Sequence, residues 1–87
     1  MAAVWISSLM RDLTAGQDRV RVSGATVAEV IDGLEAIHPG VKERLLVKGQ
    51  LAPGIMVSVD DKRALRGLQE QVGGESDVRF LPLMAGG

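Results

Sequence analysis

The C-terminal stretch, residues 77–87, reads DVRFLPLMAGG and is the most informative part of the chain. Val78 and Phe80 occupy alternate positions in it, as expected for the buried face of a β-strand. We therefore predict a last strand over residues 77–83, with these two side chains in the core. Arg79 would then lie on the opposite face, where it either pairs with an acidic partner surface or is simply solvated.

The last three residues of the sequence, Ala85, Gly86 and Gly87, follow this strand closely. We expect a folded domain over residues 1–84 and a flexible tail over residues 85–87. Glycine has no Cβ, so an extended Gly-Gly can enter a channel too narrow for other residues. The Gly87 carboxylate would then be the reactive group, once an enzyme had activated it. The alternative is that the diglycine is an ordinary frayed end.

Composition restricts the chemistry that the chain can perform. The 87 residues include no cysteine and one histidine, His38, which argues against disulfides, thiolate metal sites, a nucleophilic thiol and a histidine cluster. A net charge of −1 with dispersed basic residues argues against nucleic acid as a partner. No apolar run approaches the ~20 residues of a membrane span, and no leader pattern is present. We expect a cytoplasmic protein without a membrane partner.

The first part of the chain has the pattern of a β-hairpin. Residues 4–9 are rich in strand-forming types, and residues 19–23 alternate between polar and apolar. Residues 10–18 between them contain turn-forming types and predict a wide loop. Trp5 is expected at the edge of the sheet.

A single main helix is predicted in the middle of the chain. Thr26 and Glu29 have the spacing of a capping box, so the helix should begin at Thr26. Its apolar residues recur at helical spacing and predict a stripe that covers the sheet: Val27, Val30, Ile31 and Leu34. Residues 38–40, His-Pro-Gly, should end it, and residues 41–46 should add a short helical turn.

The second half predicts further strands separated by turns. Residues 55–59 alternate as a third strand after a turn-rich stretch, residues 49–54. A turn at residues 60–61, a short edge strand at residues 62–65 and an irregular stretch at residues 67–74 follow. The predicted fold class is α+β, a mixed four- to five-stranded sheet packed by one main helix.

This order of elements with a terminal diglycine resembles the β-grasp, ubiquitin-like proteins, and more narrowly the bacterial sulfur carriers of the MoaD/ThiS family, in their CysO-like branch. The resemblance is carried by residues 13–17, 22–27, 34–45 and 77–87. The chain departs from the family pattern at two turns. Residues 60–61 are Asp-Asp where the family usually has Asn-Gly or Asn-Asp, and residues 75–77 are Glu-Ser-Asp where it has Gly-Asp.

The resemblance implies a carrier cycle. A ubiquitin-activating-type enzyme would adenylate the Gly87 carboxylate with ATP and Mg²⁺, and sulfur would displace AMP to leave a thiocarboxylate. The carrier would bind no cofactor or metal and catalyse nothing itself. Its second partner would be a sulfur-accepting synthase: a cysteine synthase-like enzyme, a thiazole synthase-like enzyme or the large subunit of molybdopterin synthase. The predicted site comprises a reactive end, Gly86 and Gly87, and a partner-binding segment, Phe80, Leu81, Leu83, Met84 and Ala85.

Several alternatives remain open from the sequence. The chain could be the small subunit of molybdopterin synthase, or a protein modifier that forms isopeptide bonds through Gly87. It could also be an interaction module whose diglycine is incidental. Leu81 and Leu83 would form an exposed apolar patch in the carrier interpretation, and a neighbouring loop would cover them otherwise.

Overall fold

The computed structural model describes residues 1–7 and 10–82, which form a five-stranded sheet, a helix that covers one of its faces and a small second sheet. The strands are β1 (Ala2–Trp5), β2 (Arg19–Val22), β3 (Leu46–Val47), β4 (Gln50–Leu51), β5 (Ile55–Val59), β6 (Lys62–Arg63) and β7 (Asp77–Pro82). The helices are α1 (Val27–Ile37) and α2 (Val41–Leu45), with 3₁₀ turns at Arg11–Leu13 and Gly67–Gln69.

The strand order in the main sheet is β2-β1-β7-β5-β6. β1 and β7 run parallel, whereas the other neighbouring pairs are antiparallel. The first and last strands of the chain therefore lie side by side in the interior of the sheet. The predicted mixed sheet with one main helix is confirmed.

Thr26 is the N-cap of helix α1, as predicted. The Thr26 hydroxyl accepts a hydrogen bond from the Glu29 amide at 3.2 Å, and the Glu29 carboxylate accepts one from the Ala25 amide at 3.0 Å. The predicted apolar stripe is fully buried: Val27, Val30, Ile31 and Leu34. At the other end Gly40 has a left-handed φ of 104°, which glycine adopts without strain, so the chain can turn into α2.

The core lies between α1, α2 and one face of the main sheet. Alternate strand residues point into it, among them Val4 of β1 and Val78 and Phe80 of β7, all with no exposed surface. Gly33 permits close packing of α1 on β2, because a Cβ there would lie only 3.3 Å from the Cβ of Val22.

Three sequence predictions need correction. Strand β1 covers Ala2–Trp5 instead of residues 4–9, because Ala2 pairs with β2 and Ala3 with both β2 and β7, and tertiary pairing outweighs the weak strand preference of alanine. Residues 8 and 9 lie outside the described part. Trp5 is not at the sheet edge, since β1 lies between β2 and β7. The edge strand predicted at residues 62–65 is shortened to Lys62–Arg63.

The hairpin of β3 and β4 was not predicted. Its two strands have two residues each and are joined by Lys48 and Gly49, both with positive φ (53° and 78°). Two-residue strands are too short to show a period of two, so only the turn signal was visible in the sequence.

Candidate functional site

Strand β7 holds the base of the predicted reactive tail. It pairs in parallel with β1 over residues 77–79 and antiparallel with β5 over residues 78–82, so each of its residues is paired on at least one side. Pro82 pairs with Ile55 and is the last described residue. The strand therefore directs the following residues from one end of the central sheet.

The predicted partner-binding residues fall into different environments. Phe80 has no exposed surface and belongs to the core, so its assignment to a partner surface is corrected. Leu81 points to the opposite face, beside Met56 of β5, and both side chains are partly exposed. The other predicted site residues lie outside the described part: Leu83, Met84, Ala85, Gly86 and Gly87. The predicted division at residue 85 lies there too.

Trp5 lies on the face of the sheet that faces away from α1. Its indole N–H donates a hydrogen bond to the Asp77 carboxylate at 3.1 Å. The guanidinium groups of Arg19 and Arg79 lie over its ring, at 5.4 and 5.0 Å from the ring centroid. Such cation–π contacts stabilise by about 0.5–1 kcal/mol at exposed sites. The ring is therefore held in place by three side chains from both neighbouring strands.

These residues belong to one line of side chains that crosses all five strands. Trp5 is paired with Arg19 on one side and with Arg79 on the other. Arg79 is paired with Ser58, and Ser58 with Arg63. We call this line the arginine row: Arg19, Trp5, Arg79, Ser58 and Arg63. At a strand spacing of about 4.8 Å it is about 19 Å long.

The face that carries the arginine row is basic in a chain whose net charge is −1. Arg21 lies on it as well, because it alternates with the buried Val20 and Val22. In the part of the chain that the structure describes, one ion pair lies on this face: it joins Arg79 to Asp61 at 4.0 Å, and the Asp61 side chain is 89% exposed. Within residues 1–7 and 10–82, no carboxylate lies at ion-pair distance from Arg19, Arg21 or Arg63.

The turn that joins β5 to β6 is bonded to the loop that precedes β7. The Asp60 carboxylate accepts hydrogen bonds from the Ser76 hydroxyl at 2.8 Å and from the Asp77 amide at 2.9 Å. These two bonds, the amide first, lower the pKa of Asp60 below its ordinary value. Ser76 in turn accepts a bond from the Gly73 amide at 2.8 Å. The start of β7 is therefore held by side chains as well as by strand pairing.

Within residues 1–7 and 10–82, no group of three or more His, Asp or Glu side chains is arranged to hold a metal ion. Over the same ranges, no helix has both the length and the apolar character needed to cross a bilayer.

The arginine row was not predicted from the sequence. Arginines 19 and 21 alternate with valines, which signals an exposed strand face, but their neighbours across the sheet depend on register. The parallel pairing of β1 with β7 brings the Asp77 side chain within hydrogen-bond distance of Trp5, 72 positions earlier in the chain. A local sequence pattern carries no information on such a pairing.

Comparison with known proteins agrees with this architecture. The sulfur carrier protein CysO of Mycobacterium tuberculosis is 36% identical to the chain over 91 aligned positions, which cover 97% of this chain and 96% of that protein. The crystal structure of the Amycolatopsis orientalis BexX/CysO complex contains a chain that is 36% identical, with full coverage of both chains and a TM-score of 0.92.

The crystal structure of Mycobacterium tuberculosis CysO superimposes with a TM-score of 0.89 at 32% identity, over 97% of this chain and 100% of that one. No protein-family model matches the chain.

Proposed function

Because the chain belongs to the CysO family of sulfur carrier proteins, we propose that it carries sulfur as a thiocarboxylate on Gly87. The observation that supports this assignment is the position of the diglycine. Three residues separate it from Pro82, the last residue of β7, which pairs with Ile55 of β5. Residues 83–87 can extend by at most about 18 Å, so a partner's active site can be reached while the folded domain stays outside it.

The chemistry takes place at the Gly87 carboxylate in two steps. The carboxylate oxygen attacks the α-phosphorus of ATP, which forms an acyl adenylate and releases pyrophosphate. Hydrosulfide then adds to the acyl carbon and AMP leaves. The bond between the acyl carbon and the phosphate oxygen breaks, and a C–S bond takes its place. ATP and Mg²⁺ are bound by the activating enzyme, and the carrier supplies only the carboxylate. Glycine at positions 86 and 87 keeps the acyl carbon accessible, because neither residue has a Cβ.

Two protein partners follow from this cycle. The first is an adenylating enzyme of the ubiquitin-activating type. The second is a synthase that accepts the sulfur, of the cysteine synthase-like or thiazole synthase-like kind or related to the large subunit of molybdopterin synthase. The crystal structure of the Amycolatopsis orientalis BexX/CysO complex supports a protein partner for a carrier of this family. Leu81 and the segment of Leu83, Met84 and Ala85 are the residues that we assign to contacts beside the tail.

Intact-protein mass spectrometry tests the proposal. The chain is incubated with a family activating enzyme, Mg·ATP and sulfide, and a variant that lacks Gly87 serves as control. We expect a mass gain equal to the exchange of one oxygen for sulfur in the full-length chain and none in the control. Treatment with a thiol-specific alkylating reagent should label the product, since the chain has no cysteine.

Two results would contradict the carrier cycle. One is the absence of a mass gain with several activating enzymes that load their own carriers under the same conditions. The other is loading that persists without Gly87, which would place the sulfur elsewhere. In cells, Gly-Gly-branched conjugates on lysines would instead indicate a protein modifier.

A further inference from the structure

We propose that the arginine row is a docking surface for a carboxylate-rich surface on a protein partner of the BexX kind, which forms a complex with a related CysO. This inference deepens the proposed function, on which it rests, by assigning the partner's chemistry. Three positive charges of the row lie on one sheet face, while the chain as a whole carries a net charge of −1. This segregation of charge is what a docking partner would recognise.

The charges of the row are largely unneutralised within the described part of the chain. Arg79 has one carboxylate, that of Asp61, at the limit of ion-pair distance, and Asp61 is highly exposed. Such an exposed pair contributes little, about 0–1 kcal/mol. Arg19 and Arg63 have no carboxylate at that distance in residues 1–7 and 10–82. A partner carboxylate would therefore find two arginines, Arg19 and Arg63, that have no carboxylate at ion-pair distance in the described residues.

The centre of the row is organised before any partner binds. Trp5 is fixed by its hydrogen bond to Asp77 and by two guanidinium groups over its ring. Tryptophan and arginine are the residue types that most often dominate binding energy at interfaces. Because the side chains are already ordered, less conformational entropy is lost when a partner docks.

The row is also in the right place relative to the tail. Arg79 belongs to β7, three residues before Pro82, and Leu81 lies between them on the same face. A partner that contacts the row therefore lies beside the point where residues 83–87 begin. Docking there would bring the tail to the partner's active site, which the tail alone would do only by diffusion.

Two other occupants fit the row less well. A second copy of the chain would pair identical faces about a two-fold axis and bring arginine rows together, which like charges oppose. A nucleic acid needs charge but makes little use of the apolar neighbours of the row, Leu81 and Met56. A protein surface with an apolar centre and an acidic rim satisfies both features.

Isothermal titration calorimetry with Amycolatopsis orientalis BexX as the probe tests the docking surface. The unmodified full-length chain is used, without ATP or sulfide, so the outcome does not depend on whether Gly87 can be loaded. The test variant is Arg19→Glu with Arg63→Glu. The matched control is Lys48→Glu with Arg66→Glu, which changes the charge equally at two exposed positions off this face. Urea unfolding of each variant verifies that it is folded.

We expect the test variant to bind at least about tenfold more weakly and the control to stay within about twofold of the parent chain. Raising the salt concentration should weaken the binding of BexX to the parent chain more than its binding to the test variant, because salt screens the charges that the variant has lost. Arg19→Lys with Arg63→Lys, which keeps the charge, should retain most of the affinity.

An equal loss of affinity for BexX in the test and control variants would overturn the proposal, since the overall charge would then be responsible. An unchanged affinity of the test variant would overturn it as well. Failure of the folded parent chain to bind BexX would overturn the assignment to this class of partner. Sulfur loading of the same samples, measured by mass, would still report on the proposed function independently.

Discussion

Phe80 and Leu81 are adjacent residues of β7 whose side chains point to opposite faces. Phe80 is the largest fully buried side chain described, whereas Leu81 is partly exposed beside Met56. Phe80 therefore packs in the core, whereas Leu81 lies on the opposite face, which we propose contacts a partner. Stability and docking can therefore be separated by single substitutions.

We expect Phe80→Ala to lower the free energy of unfolding by about 3–5 kcal/mol, because it leaves a cavity among fully buried side chains. Leu81→Ala should lower it by less than about 1 kcal/mol, since part of that side chain is already in water. Urea unfolding followed by circular dichroism measures both. A loss of similar size in the two variants would mean that Leu81 is as important to the core as Phe80.

Single residues differ in how far the sequence could predict them. The hydrogen bond from the Glu29 amide to the Thr26 hydroxyl was predictable because a capping box is a local pattern of four residues. The Glu29 carboxylate departs from that pattern, because it accepts its bond from Ala25, one residue before Thr26. The burial of Phe80 followed from the alternation of apolar residues in β7. The surroundings of Trp5 were not predictable, because Arg19 and Arg79 reach it from two strands whose register is set by the whole sheet.

The two turns that depart from the family pattern are bonded to each other. Asp60 occupies the first position of one turn, and its carboxylate accepts bonds from Ser76 and Asp77 of the other. A carboxyl group with a lowered pKa stabilises the fold above its ordinary pKa, and this contribution is lost as the pH falls through the folded-state value. Asp60 therefore stabilises the fold at neutral pH. Ser76, in the second of the two turns, donates one of the hydrogen bonds that the Asp60 carboxylate accepts.

Asp61 offers a sharp test of this arrangement. Asp60 and Asp61 both have positive φ, 53° and 67°, in the two-residue turn between β5 and β6. Asp61→Gly should stabilise the chain by about 0.5 kcal/mol, because relief of the left-handed strain exceeds the entropy that glycine loses. Asp60→Gly relieves the same strain but removes two hydrogen bonds, each worth about 1 kcal/mol, so it should destabilise.

Thermal or urea unfolding at neutral pH compares the two glycine variants. Changes of opposite sign in the free energy of unfolding would confirm that Asp60 is retained for its carboxylate and Asp61 only for its tendency to form turns. Stabilisation by both would show that the bonds to Ser76 and Asp77 contribute less than the backbone strain.

Among the secondary-structure elements, α1 and β7 were predictable from long periodic patterns, whereas β3 and β4 were not, because two residues show no period.

The whole described fold depends on the last strand more than on any earlier one. β7 lies between β1 and β5 and joins the two ends of the chain through the parallel pair with β1. The buried core cluster runs from Ala2 to Phe80 and includes no residue after it. The sheet can therefore close only when β7 is present, and the described core is complete before residue 83.

Two truncations separate the fold from the reactive end. Removal of residues 83–87 should change the free energy of unfolding by less than about 0.5 kcal/mol, because no residue of the described core is lost. Removal of residues 75–87 should abolish cooperative unfolding, since β1 and β5 then lose the strand that joins them. A shorter chain that keeps its stability yet accepts no sulfur would assign residues 83–87 to chemistry alone. A loss above about 1 kcal/mol would instead show that the tail packs on the folded domain, and its reach toward a partner would then require release from the sheet.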